Sequence, residues 1–328
     1  MTCQAIQSQR WTWCSAMAEL APAKRALPLR APRPDEHDAL LRFIATLNQP
    51  GEQHCLHFAG TVVGIRADIE RDRVDLGTDF LLAADARGWL GTAGLSRDGE
   101  QGWLLGPWTR DAGDCATRSI LLRALMQRPG LALLRSFSDV RCVAINAELA
   151  SAGFRPRGAG QVMQAERSAY GGPDAAQSNH AVGPAIDTDE AALAELHREE
   201  FPGSWLAAED LLSHARKHGQ MLVVRDAAHG LLGSLCLTFN TAVPEADVEF
   251  LAVRSIARRR GIGRALLQAA LREAFRGSRC ERVNLVVSDT NPDARRLYEA
   301  SGFVHLFSGI GMRWAAEVAV AVDEWANP

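Results

Sequence analysis

From residue 187 onward the apolar positions change period several times, and each change predicts an element. "DTDEAALAELHREEF" offers Asp and Thr as N-caps and then apolar residues at helical spacing. "GQMLVVRDAAHGLLGSLCLTFN" is two strand-like runs around the turn-prone "DAAHG", a hairpin pattern. "DVEFLAV" continues as a strand, "GIGRALLQAALREAF" as a helix and "RVNLVVS" as an alternating strand. "NPDARRLYEASG" is a helix framed by Asn291 and Pro292 at its start and Gly302 at its end. "FVHLFSGIGMRWA" suits a final strand or strand pair. On strand 247–253, period-2 alternation places Asp247, Glu249 and Leu251 on one face and Phe250 and Ala252 on the other.

A weaker echo of the same order runs through the first half: "GWLGTAG", "GWLLGPWT", the helical "ATRSILLRALMQ", "LALLRSFS" and "NAELASAGF". The offset of roughly 145 residues is too long for a solenoid repeat and implies a duplicated domain. The chain's 328 residues also favour two domains. "YGGPDAAQSNHAVGP" lacks either hydrophobic period and marks the boundary. The expected organisation is a leader over residues 1–26, a first domain over 27–172, a linker over 173–182 and a second domain over 183–328.

Composition changes this picture little. A formal net charge of −3 gives no global basic field, so binding to nucleic acid is not expected. The seven cysteines are scattered and never form C-x-x-C, which argues against a disulfide framework or zinc knuckle. No secretory h-region or membrane-length apolar run is visible, so a cytoplasmic protein without membrane contact is expected. His214 and His218 stand at i, i+4, and His54 and His57 flank Cys55, but neither pair shows a third ligand. Solvated positions fit them better than a metal site, and no metal is expected.

"RRRGIGRALL", residues 258–267, carries the most specific signal. A Walker loop needs another spacing and a lysine, and a dinucleotide fingerprint needs glycine where Leu266 stands. What remains is R-x-x-G-x-G opening a helix, where backbone amides and the helix dipole favour an anion. With "NPDARRLYEASGF" downstream, the segment 247–303 resembles motifs A and B of the GNAT superfamily of acyl-CoA-dependent N-acyltransferases. The resemblance implies a mixed α/β fold, here two tandem GNAT-like domains, each a mostly antiparallel central sheet flanked by helices.

It further implies that acetyl-CoA is the co-substrate and that a primary amine of a small molecule or peptide attacks it directly through a tetrahedral intermediate. Arg258, Arg259, Arg260, Gly261, Ile262, Gly263 and Arg264 would hold the pyrophosphate. The backbone of Leu251, Ala252 and Val253 would pair with the pantetheine arm, and Asn291 would contact the cofactor. Tyr298 would be the general acid, with Glu249 the first and Asp247 the second choice of base. Phe201 and Trp205 are candidates for the acceptor pocket, with core packing the alternative. In the first half Leu149 stands where Tyr298 would be and "RDAGDCATRS" lacks G-x-G, so that copy is expected to be degenerate. The alternative for the whole chain is a non-catalytic acyl-CoA sensor or scaffold.

Overall fold

In a computed structural model of the chain the described residues are 27–316, except 52, 172–179, 229, 241 and 279. The leader expected over 1–26 and most of the linker expected over 173–182 lie outside the described residues.

The first half runs β1 (Leu29–Arg30), α1 (His37–Leu47), α2 (Val62–Arg71), the single turn α3 (Leu76–Asp79), β2 (Phe80–Asp85), β3 (Gly88–Asp98), β4 (Gln101–Thr109), α4 (Cys115–Met126), β5 (Leu133–Asp139), α5 (Val143–Ser151) and β6 (Arg155–Glu166). The second half repeats this order: β7 (Val182–Pro184), α6 (Glu190–Glu200), α7 (Leu211–His218), β8 (Gly219–Asp226), β9 (Gly230–Phe239), β10 (Glu245–Val253), α8 (Ile262–Arg272), β11 (Arg282–Ser288), α9 (Pro292–Glu299) and β12 (Val304–Ala315). The expected final strand or strand pair is one strand of 12 residues.

All these strands form one sheet in the order β1-β2-β3-β4-β5-β12-β6-β11-β10-β9-β8-β7. Neighbours are antiparallel except β4 with β5 and β10 with β11, whose crossovers are α4 and α8. The sheet is therefore mostly antiparallel, as expected. Its centre, however, is interlocked. β12 lies against β5 from Gly309↔Asp139 to Ala315↔Leu133, while β6 lies against β11 from Arg282↔Glu166 to Ser288↔Gly160. Each half thus gives its last strand to the other. Residue periodicity marks a strand but carries no information about which edge it joins.

Each half packs helices on both faces of its sheet. Leu121, Leu122 and Leu125 of α4 and Ile145 of α5 cover one face with Leu134 and Met312. Leu40 and Ile44 of α1 and Ile65 of α2 cover the other with Phe80, Leu82 and Trp108. In the second half, Leu266, Leu267, Ala270 and Leu271 give α8 a continuous apolar stripe against Leu235, Leu237 and Leu285, and Tyr298 of α9 joins that core. Leu193 and Leu196 of α6 and Leu211 and Leu212 of α7 pack with Cys236, Phe250 and Ala252 on the opposite face.

Both parallel pairs are short. β10 and β11 are in register only from Glu245↔Arg282 to Val248↔Leu285, and β4 and β5 only from Gln101↔Leu133 to Trp103↔Arg135. Beyond those points the strands part, leaving a wedge in each half. A bulge accompanies each split: β10 slips against β9 between Val248 and Phe250, and β4 slips against β3 where Thr92 faces Trp108 and Gly94 faces Leu105. An extra residue bends a strand and increases its twist, which turns it away from its partner.

Candidate functional site

The bulge in β10 corrects the face assignment made from alternation. Leu251 and Val253 pack on the α8 side, whereas Phe250 and Ala252 pack with α6 and α7. Leu251 therefore does not share a face with Glu249. Glu249, at the irregularity, turns toward α7: its Oε2 lies 2.8 Å from His214 Nε2, and its Oε1 accepts from Thr238 Oγ1 at 3.2 Å. Asp247 faces Thr238 across the ladder. Desolvation pushes the Asp247 carboxyl up to about 7; Arg71 of the first half opposes the shift, and Glu249 and Glu245 add to it.

His214 is the residue that sequence reasoning passed over. A solvated helix face was expected, yet its side chain is only 16% exposed and is paired with Glu249. Trp205 meets its ring edge-on at 5.4 Å and His218 lies at 4.8 Å. Burial, with the neighbouring His214 and Lys217, lowers the His218 pKa and favours its neutral form. The i, i+4 spacing on α7 was the available signal; the partner on β10 arises only from tertiary packing. Phe201 and Trp205 lie against Phe250, with ring centroids 5.2 and 6.0 Å away, and all three line a cavity of about 410 Å3.

His57 bonds Asp72 at 2.7 Å and stacks on Trp103, while buried His54 lies 3.5 Å from Asp139, so the two histidines have separate partners. Among the described residues, no group of three His, Cys, Asp or Glu side chains is arranged to hold a metal ion.

The glycine-arginine loop precedes α8. Arg259 and Gly261 both have left-handed backbone, with φ of 60° and 84°. Gly261 has open space where a Cβ would stand, and a Cβ on Gly263 would sit 3.2 Å from Leu297 of α9. Among the described residues, no acceptor takes the amides of Arg259 through Arg264. Such unpaired donors at a helix start form an anion-binding concavity. The side chains of the loop differ in their partners. Arg258 is paired with Glu200 at the end of α6 and donates to the Val253 carbonyl at 3.1 Å; Arg259 is paired with Asp293. Ile262 buries its side chain in the core and offers only its amide, whereas Arg260 and Arg264 are exposed.

The wedge between β10 and β11 opens beside this loop. Leu251, Ala252 and Val253 pair with β9 on one side, but their backbone has no β11 partner on the other. A free strand edge next to an anion cradle fits an extended amide-bearing arm that ends in a pyrophosphate. At α9, Asn291 Oδ1 caps the helix through the Ala294 amide at 3.0 Å. The Tyr298 ring is buried, with Phe303 at 5.9 Å, and burial pushes its phenol up to about 12, so it keeps its proton at neutral pH.

The wedge of the first half is filled by the chain itself. Leu56 N–H donates to the Phe137 carbonyl at 2.9 Å, Asp139 N–H donates to His54 O at 3.1 Å, and Cys55 bridges Ser138, so this segment lines the free edge of β5. Toward β4, Gln53 accepts from the Thr109 amide at 2.7 Å and donates to its carbonyl at 2.9 Å. Asn48 accepts from the buried Trp108 indole and from the Cys55 amide, closing the remainder. At the start of α4, Asp111 and Asp114 take the amides of Gly113 and Thr117. Arg118, almost fully buried, is held by Glu148, Thr109 and the Ala112 carbonyl. Neither the strand edge nor the helix start is open.

Residues 191–303 match the model of the Acetyltransferase (GNAT) family. No curated protein matches the chain. Among solved structures, a GCN5-related N-acetyltransferase from Sphaerobacter thermophilus is similar over 88% of this chain and 97% of its own, with 19% identity and a TM-score of 0.69. A tandem GNAT protein from the clavulanic acid biosynthesis pathway is similar over 88% and 98%, with 16% identity and a TM-score of 0.62. These likenesses establish the fold: the chain carries two GNAT-like domains, and residues 191–303, in the second, match the model of the Acetyltransferase (GNAT) family.

Proposed function

We propose that the C-terminal half is an N-acetyltransferase that moves the acetyl group of acetyl-CoA to a primary amine. Two features support this reading: the unpaired amides of Arg259–Arg264 and the edge of Leu251–Val253 that has no β11 partner; Tyr298, on α9 in the same core, is the proton donor we assign to it. The amides and the exposed Arg260 and Arg264 bind the pyrophosphate, with Asn291 at the neighbouring helix start. The strand edge pairs with the pantetheine amides, and an amide of Leu251–Val253 polarises the thioester carbonyl.

The amine enters from the α6/α7 side, past Phe201 and Trp205. The amine nitrogen attacks the thioester carbonyl carbon, forming the C–N bond of a tetrahedral intermediate, and its collapse breaks the C–S bond. The amine proton passes to the His214–Glu249 pair: Glu249 accepts from Nε2–H and leaves Nδ1 as the acceptor. The departing thiolate takes its proton from Tyr298 Oη. Asp247, two residues before the bulge, tunes the local charge and is the second choice of base. The test is acetyl-CoA-dependent thiol release across a panel of amines. Release with any amine supports catalysis, while acetyl-CoA binding without release favours a sensor.

A further inference from the structure

The cavity beside Phe250 has a charged wall that the acetyl-transfer reading leaves without a task. Leu134 and Met312 face α4 and α5, so their strand neighbours Arg135 and Arg313 project from the opposite face, the one that carries Phe250. Arg135 and Arg313 are direct cross-strand partners, a position where side chains of the same face stand side by side. Both line the cavity, as do Trp103 and Trp205. Arg157 lines it too, and its single lining carboxylate, Glu200, is held by Arg258.

Among the described residues, neither Arg135 nor Arg313 makes a side-chain hydrogen bond or ion pair, and Arg313 Nε is buried without a partner. Burial and the facing Arg313 lower the proton affinity of Arg135, whose guanidinium nonetheless stays charged at neutral pH. Two like charges placed in register repel each other, and burial adds desolvation; an anion between them relieves both costs. Among the described residues, no carboxylate pairs with Arg135 or Arg313.

We infer that Arg135 and Arg313 form a carboxylate subsite, and that the acceptor is an amine bearing a carboxylate and an apolar or aromatic body, of the amino-acid class. The inference rests on the acceptor side of the proposed reaction. The carboxylate bridges the guanidinium groups while Trp103, Trp205 and Phe250 flank the body, leaving the amine to reach His214. Because Arg135 lies on β5 and Arg313 on β12, the subsite exists only through the strand exchange, with the first half supplying part of the pocket for chemistry in the second.

The experiment pairs phenylalanine with phenethylamine, which lacks the carboxylate, in the thiol-release assay, and titrates phenylpropionate calorimetrically as a probe independent of turnover. The expected result is a preference for phenylalanine, with R313Q and R135Q each raising its KM about tenfold or more while moving that of phenethylamine little. Phenylpropionate binding should weaken in step. Equal use of both acceptors, or an unchanged KM in both variants, overturns the inference. If no amine releases thiol, the proposed reaction fails, and the phenylpropionate titration still decides the subsite. Arginine-dependent binding supports it and arginine-independent or absent binding overturns it.

Discussion

The two wedges of this sheet arise from the same strand order and similar bulges, yet one is open and the other is sealed. Between β10 and β11 the strand edge of Leu251–Val253 has no β11 partner, and among the described residues the amides of Arg259–Arg264 have no acceptor. Between β4 and β5, Gln53 supplies an amide where a ligand would supply one, and Asp111 and Asp114 occupy amides that a phosphate would need. The difference teaches that two copies of one strand order can treat the same splayed edge differently, one satisfying its exposed backbone internally. Splayed strands need a partner, and the partner can be the chain itself.

The largest effect that can test this contrast is on chemistry. Tyr298→Phe removes the only proton donor proposed for the open wedge and should reduce kcat about a hundredfold or more, with acetyl-CoA affinity nearly unchanged. Unchanged turnover at saturating substrate removes Tyr298 from the mechanism. Next is binding at the cradle. Gly263→Val places a branched side chain where a Cβ already meets Leu297 at 3.2 Å, and calorimetry should show acetyl-CoA binding about tenfold weaker or worse. Wild-type affinity would mean that the pyrophosphate lies elsewhere.

The sealed wedge is tested through stability. Gln53→Ala strips both partners from the buried Thr109 backbone and should cost about 1–3 kcal/mol in urea unfolding, without creating a second acetyl-CoA site. A second site in that variant would show that Gln53 was all that closed it. The smallest effect concerns pH. Asp247 has its carboxyl raised in the fold, so the folded state holds its proton more tightly than the unfolded chain. Its ionisation therefore removes stability as pH rises from about 4 to about 7. Asp247→Asn should flatten that decline in a series of thermal melts from pH 5 to pH 8, and an identical slope would show that the carboxylate is not the cause.

Local signals in the sequence were enough for the loop, the capped helix of Asn291 and Tyr298, and the repeated element order, because each is a spacing within one element. The bulge at Glu249 was illegible: alternation assumes an unbroken ladder, and one extra residue moved Leu251 to the other face. His214 was read as solvent-facing because its partner stands 35 residues away on a strand. The strand exchange, the plug at Gln53–Leu56 and the Arg135–Arg313 pair all depend on which strand edges meet, which no single element encodes. Residue types marked the candidate site; tertiary contacts decided which of them face one another.

The most direct test of the central claim is a calorimetric titration of acetyl-CoA into the intact chain, read for stoichiometry and repeated with a variant carrying charge reversals at Arg260 and Arg264. One site per chain, lost in the variant, is the predicted result. Two sites, or a single site that survives the reversal, would contradict the account, because the sealed wedge would then be binding what the open one was assigned.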